Sequence, residues 1–314
     1  MYEWQKSFRF AVSAGRAASQ EEWVTKARKI EQLGYLTLVV PDHLPVPLAL
    51  VPALLAAAEG TSTLRIGSFV FNNDFRHPVM LAKEVATLDV LSGGRFEFGL
   101  GAGWTQSEYE QSGIKYDPAP VRIRRLGEAI QVVKRLFAEE RASFSGEFYT
   151  INNLNSLPKP IQQPYPPLVI GGGGKQMLSL AAREANIVTL IPKALPDRGN
   201  LDVATDATPT ATMQKIRWIR QAAGSRFDDL ELNILIFAVS LAEEDRSRAI
   251  QHVSEVFKVK EDEVSDLPHC LIGTVDQVCE ELQKRREQYG ISYITVFENK
   301  IEEFAPVVAR LAGK

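Results

Sequence analysis

Apolar runs and amphipathic stretches alternate along this chain. Residues 8–14 read as a first strand, and Ser19 with Glu22 three positions later carries the capping-box signature that opens a helix. Trp23, Ala27, Ile30 and Leu33 repeat at helical spacing, Gly34 ends that helix, and 35–40 follows as a buried strand. The phrase recurs with a strand over 64–71, a helix over 78–91 and a strand over 95–101. A longer helix is predicted over 121–138, and strands over 167–170, 187–191, 230–240 and 291–297. Thr274 and Gln277 form a second capping box, Gly290 closes the helix they open, and 304–311 supplies a last amphipathic helix.

Strands that are apolar runs, each separated by a helix, require a parallel sheet covered by helices. Eight of them fit a (β/α)8 TIM barrel better than an open sheet, which the pattern alone leaves possible. The reading is an α/β protein, one domain over 1–314, with insertions after strands 4–5, 6 and 7 at about 143–166, 192–209 and 259–273. The first insertion starts as an aromatic, hairpin-like stretch, and long loops of this kind serve as lids or binding segments.

Composition narrows the class. With 314 residues, 45% hydrophobic and 24% charged, the chain has the profile of a globular protein rather than a disordered, collagenous or disulfide-stapled one. A formal net charge of −3 offers no basic field, so nucleic acid is not an expected partner. Cys270, Cys279 and four histidines provide neither a disulfide framework nor a Cys-rich zinc site, so no metal is expected and a reducing, cytoplasmic setting is. Residues 1–10 lack the apolar core of a signal peptide, and the longest apolar stretch, 48–58, is too short to span a bilayer and contains Pro52. Neither secretion nor membrane insertion is expected.

Active sites of such barrels lie at the C-terminal strand ends, which directs attention to the residues just after each strand. Pro41-Asp42-His43 follows the second strand. A histidine there can exchange a proton near neutral pH with Asp42 setting its orientation or charge, or it can simply satisfy buried backbone groups. Asn72 and Asn73 follow the third strand, where amides can bind a polar heterocycle or merely make a turn, and His77 precedes a helix-starting proline rather than acting in catalysis. Gly99-Leu-Gly-Ala-Gly103-Trp104 lacks the spacing of a dinucleotide fingerprint. Its glycines, Gly103 included, let something lie close to the backbone with Trp104 as an aromatic wall, or they serve packing. After the fifth strand, Gly171, Gly172, Gly173 and Gly174 lead through Lys175 into a helix, which makes a phosphate cradle or a plain tight turn. No Walker spacing is present.

The order of Pro41-Asp-His43, Arg76-His-Pro78, Leu91-Ser-Gly-Gly-Arg95, Gly99-Leu-Gly-Ala-Gly103 and Pro167-Leu-Val-Ile-Gly-Gly-Gly-Gly174 resembles the bacterial-luciferase-like superfamily over nearly the whole chain. The segments 219–232, Leu271-Ile-Gly-Thr274 and Phe304-Ala-Pro-Val-Val308 are similar to its subfamily assigned to the deazaflavin coenzyme F420. The resemblance implies a barrel, usually a homodimer, holding F420, or alternatively FMN, at the strand ends. It also implies a non-prolyl cis bond between Phe69 and Val70 that backs the ring, His43 near the reactive ring edge, Asn72 near the pyrimidine edge, and Gly171 to Lys175 around the phosphate. Two positions depart from the better-known members. Trp104 stands where F420 sugar dehydrogenases carry an acid, with Glu108 and Tyr109 one turn on, and Asn186 stands where many relatives have aspartate. Candidate catalytic residues are thus His43, Asp42 and Trp104, and the expected activity is hydride transfer between F420 and a small organic substrate. A reduced-FMN monooxygenase with 192–209 as its lid and a non-catalytic flavin-binding barrel are the alternatives.

Overall fold

A computed structural model describes residues 6–193, 203–241 and 245–314. Among them run eight strands in parallel ladders: β1 (Arg9–Ser13), β2 (Thr37–Val40), β3 (Arg65–Ser68), β4 (Phe96–Gly101), β5 (Leu168–Gly172), β6 (Ile187–Leu190), β7 (Glu231–Leu235) and β8 (Ile291–Phe297). They divide between two compact units.

One unit comprises 14–29 and 37–170. In it β2 pairs with β3, β3 with β4 and β4 with β5, in registers that set Val40 beside Ser68, Ile66 beside Phe96 and Phe98 beside Leu168. The helix Pro78–Leu91 starts on its proline as predicted, and Ala119–Ala138 buries Leu126, Ile130, Val133 and Phe137 at helical spacing. Leu50–Gly60, read from the sequence only as an apolar stretch, is a helix; its buried Leu50, Ala53, Leu54, Ala57 and Ala58 cover a wide face, so little polar contrast marks it. The predicted hairpin is present as Ala142–Ser145 against Thr150–Leu154, antiparallel, and the Glu128 carboxylate accepts from the N–H groups of Glu147, Phe148 and Tyr149 at its tip.

The second unit comprises 1–13, 30–36 and 171–314, where the strand order is β1-β8-β7-β6. The Thr274–Gln277 capping box forms in both directions, and Gly290 ends the helix Val275–Tyr289 in the left-handed conformation. The expected strand over 230–240 is two strands. β7 stops at Leu235, the Phe237 N–H donates to the His269 carbonyl at 2.9 Å, and Ala238–Ser240 pairs with Cys270–Ile272. A new ladder partner breaks the run although its hydropathy is continuous. The insertion at 259–273 thus contributes the partner of that second strand, Cys270–Ile272, and of the insertion at 192–209 the stretch 194–202 lies outside the described residues. No described helix is long and apolar enough to cross a membrane.

Candidate active site

His43 follows β2 in a loop whose first turn is closed by the Val46 N–H on the His43 carbonyl at 3.1 Å. Its Nδ1 lies 2.7 Å from Oε1 of Glu108, a buried residue in the first turn of the short helix Gln106–Ser112. With Nδ1 donating to a carboxylate, proton exchange falls to Nε2, which has no partner among the described residues. The Trp104 indole stands edge-on to the imidazole, ring centroids 5.4 Å apart.

Asp42 does not take the orienting role expected of it. Its carboxylate accepts the Asn72 N–H at 3.0 Å and pairs with the Arg76 guanidinium, which also reaches Glu84 at 3.2 Å. Asp42 therefore ties the end of β2 to the segment after β3, and Glu108 orients the histidine. Burial pushes the Glu84 carboxyl up from its ordinary value, against the pull of Arg76.

Between β3 and the two-residue strand Phe71–Asn72, the Phe69–Val70 peptide bond is cis, as expected. Two glycines of β4 make room for this segment. A Cβ on Gly99 would lie 2.0 Å from the Ser68 carbonyl oxygen, and one on Gly101 would lie 2.6 Å from a Val70 methyl. At Gly103, φ is +72° and a Cβ would fall 1.8 Å from the Tyr109 hydroxyl. Packing by the chain itself accounts for all three.

Asn72 is held from several sides. Its Oδ1 accepts from the Asp74 N–H and the Tyr109 hydroxyl, each at 3.0 Å, so the amide is fixed in rotation while its NH2 has no acceptor among the described residues. Tyr109 is fully buried, and its hydroxyl also lies 3.1 Å from Asp74 Oδ2; burial first, then the Asp74 charge, push its pKa up. Asp74 in turn pairs with Arg125 at 2.8 Å. Beyond it opens a cleft of about 580 Å³ lined by Asp74, His77, Asp117, Arg125 and Tyr149 among others. Asn73 donates to the Tyr149 hydroxyl at 3.3 Å, while its buried Oδ1 has no partner among the described residues.

The glycine run lies in the other unit. A Cβ on Gly173 would meet the Ile191 carbonyl at 2.5 Å and the Lys193 nitrogen at 2.6 Å, and one on Gly172 would strike Met177 at 2.6 Å, so these two are packing glycines. Gly174 differs: it is the N-cap of the helix Lys175–Glu184, makes no side-chain cap, and a Cβ on it would meet, among the described residues, only the Lys193 side chain within 4 Å, at 3.8 Å. The first turn of that helix keeps its N–H groups uncapped beside the exposed Lys175, an arrangement that suits an anion.

Comparison with known proteins supplies the family and the fold. The family described as luciferase-like monooxygenase matches residues 6–200. The chain belongs to that family. It is 34% identical over 164 residues to an F420-dependent glucose-6-phosphate dehydrogenase of Microbacterium testaceum, covering 49% of this chain and 48% of that protein. It is 32% identical over 131 residues to an FMNH2-dependent dimethylsulfone monooxygenase of Pseudomonas putida, covering 42% and 35%. The chain thus spans about a third to a half of the length of these curated relatives. The F420-dependent tetrahydromethanopterin reductase of Methanopyrus kandleri superposes with a TM-score of 0.76 at 18% identity, covering 98% of this chain and all of that one. That likeness, with the eight parallel strands, shows the fold to be a (β/α)8 barrel.

Of the residues singled out beforehand, His43, Trp104, Phe69, Val70, Asn72 and Gly103 lie in the unit of 14–29 and 37–170, and Gly171 to Lys175 in the other. Glu108 and Tyr109 were visible one turn beyond Trp104 but were not counted as site residues. The available signal was an acid and a tyrosine in a polar helix directly after a glycine-bearing strand end.

Proposed function

We propose that this luciferase-family protein is an oxidoreductase that uses F420 to pass hydride to or from a small organic substrate. The observation that carries the reading is the His43–Glu108 pair at 2.7 Å with Nε2 left open. F420, when bound, supplies the carbon that accepts or gives the hydride. His43 Nε2 holds or takes the proton that the substrate gains or loses in the same reaction, and Glu108 stabilises the imidazolium that forms. The Asn72 amide, with its oxygen already spent on Tyr109 and Asp74, has an NH2 to offer a heterocycle's carbonyl, and Phe69 and Val70 are the neighbouring surface for its ring. Such a cofactor fits the donor left unpartnered at Asn72. Taken by itself, the first turn after Gly174 with Lys175 suits a phosphate.

A relative that uses reduced FMN keeps a second reading in play, that of a monooxygenase, whose site must exclude water around a reactive oxygen adduct. A paired acid and base serve a reversible proton transfer coupled to hydride transfer, which favours the first reading. Titration of the purified protein with F420 and with FMN, each oxidised and reduced, followed by fluorescence or absorbance, tests both. Selective tight binding of F420 is the expected result; preference for reduced FMN together with substrate-linked oxygen consumption selects the monooxygenase.

A further inference from the structure

Arg122 is only 5% exposed, yet each hydrogen bond of its guanidinium goes to an uncharged oxygen. Nε donates to the Ala102 carbonyl at 3.2 Å, one terminal nitrogen donates to the Gly103 carbonyl at 3.3 Å and the Tyr116 hydroxyl at 3.1 Å, and the other donates to the Asp117 carbonyl. Its Cζ lies over the Tyr116 ring, 4.0 Å from the centroid. The Tyr116 hydroxyl donates in turn to the Trp104 carbonyl at 3.1 Å. Three successive carbonyls, those of Ala102, Gly103 and Trp104, are therefore tied to one Arg–Tyr unit.

Burying a cation without a carboxylate is costly, and helix formation does not require it here. A planar guanidinium with five N–H groups in a rigid fork holds two adjacent carbonyls in a set geometry, which the freely rotating ammonium of a lysine does not impose. The stretch 102–105 belongs to no helix or strand, so its backbone has no ladder to fix it. That same stretch carries the indole that stands 5.4 Å from His43.

We propose that Arg122 and Tyr116 are positioning residues that hold Trp104 as a fixed wall beside His43, and so set the shape of substrate admitted there. Its functional weight rests on the reading of His43 given above, whereas the geometry is independent of any cofactor. Rigid support behind a site residue is what keeps reacting groups in register.

The test uses the full chain labelled with fluorinated tryptophan, with the Trp104 signal assigned by its absence from Trp104→Phe. In the otherwise unaltered protein, His43→Ala moves the Trp104 fluorine resonance. In Tyr116→Phe, which keeps the stacked ring and removes only the hydroxyl, the Trp104 line shifts and broadens and the His43→Ala displacement shrinks, while the Trp23 and Trp218 lines stay in place. Arg122→Lys, where it folds, shows the same loss. A Tyr116→Phe protein whose Trp104 line and His43→Ala displacement match those of the parent overturns the proposal, whatever Arg122→Lys does. Because no cofactor is present, failure of F420 to bind leaves this result standing, and the reverse holds too.

Discussion

His43 and His269 both bond through Nδ1, the first to the Glu108 carboxylate at 2.7 Å and the second to the Leu235 carbonyl at 2.9 Å. Nearly a third of the His43 side chain is exposed, whereas His269 is buried in a small core with Phe257, Leu267 and Cys270 nearby and the Phe237 ring 5.5 Å from its own. Burial pushes the His269 pKa down to about 3 and the neighbouring Cys270 thiol up to about 12. A carbonyl partner in a dry core locks the ring as neutral Nδ1–H. A carboxylate partner on one nitrogen leaves the other open toward whatever binds beside it. Residue type is the same; the acceptor and access to solvent decide the role.

The comparison breaks first on turnover. His43→Ala lowers kcat by about 10²–10⁴-fold while cofactor affinity, measured by titration, changes little. Glu108→Gln, which keeps the shape but removes the charge, lowers it by a smaller factor. His269→Asn leaves kcat near that of the parent. Equal losses at both histidines would end the distinction drawn between them.

Acid stability sharpens it from the other side. The unfolded chain binds a proton at His269 near pH 6.5 that the folded chain refuses until about 3, so the unfolded state holds more protons in between. Stability from this residue is present above pH 6.5 and is lost on acidification at about 1.4 kcal/mol per pH unit across that window. Urea unfolding at a series of pH values measures the slope, and His269→Asn makes it shallower. An unchanged slope in that variant would show that the ring is not held neutral by its surroundings.

The smallest effect is expected at Gly103, whose substitution strains one region only. Gly103→Ala puts a methyl where the Tyr109 hydroxyl stands, at a positive φ, and costs about 1–3 kcal/mol of unfolding free energy, measured by urea denaturation. The acid slope assigned to His269 should survive it unchanged.

Much of the scaffold was legible because its signals are local. The Thr274–Gln277 box, the Gly34 and Gly290 stops and the helix Pro78–Leu91 are written within a few consecutive residues. Leu50–Gly60 was missed as a helix because apolar residues surround much of it and blunt the periodicity. The break after β7 was missed because it depends on the His269 carbonyl, 32 residues from Phe237 in sequence. In the site, His43 and Asn72 were found by their place after strands, and the cis bond at Phe69–Val70 by resemblance. Asp42 is the acid next to His43 in sequence, and adjacency is a poor guide once Arg76 and the Asn72 N–H claim that carboxylate.

By itself the sequence determined the alternation of strands and helices, their caps, the family and the strand-end positions where chemistry can sit, since these follow from hydrophobic period, turn chemistry and motif order. Only the tertiary structure decided which carboxylate meets His43, which glycines make room for their own chain, and which arginine holds the Trp104 loop. Those choices depend on groups brought within about 3 Å across tens of residues, and a hydrogen bond fades within a few tenths of an ångström beyond that.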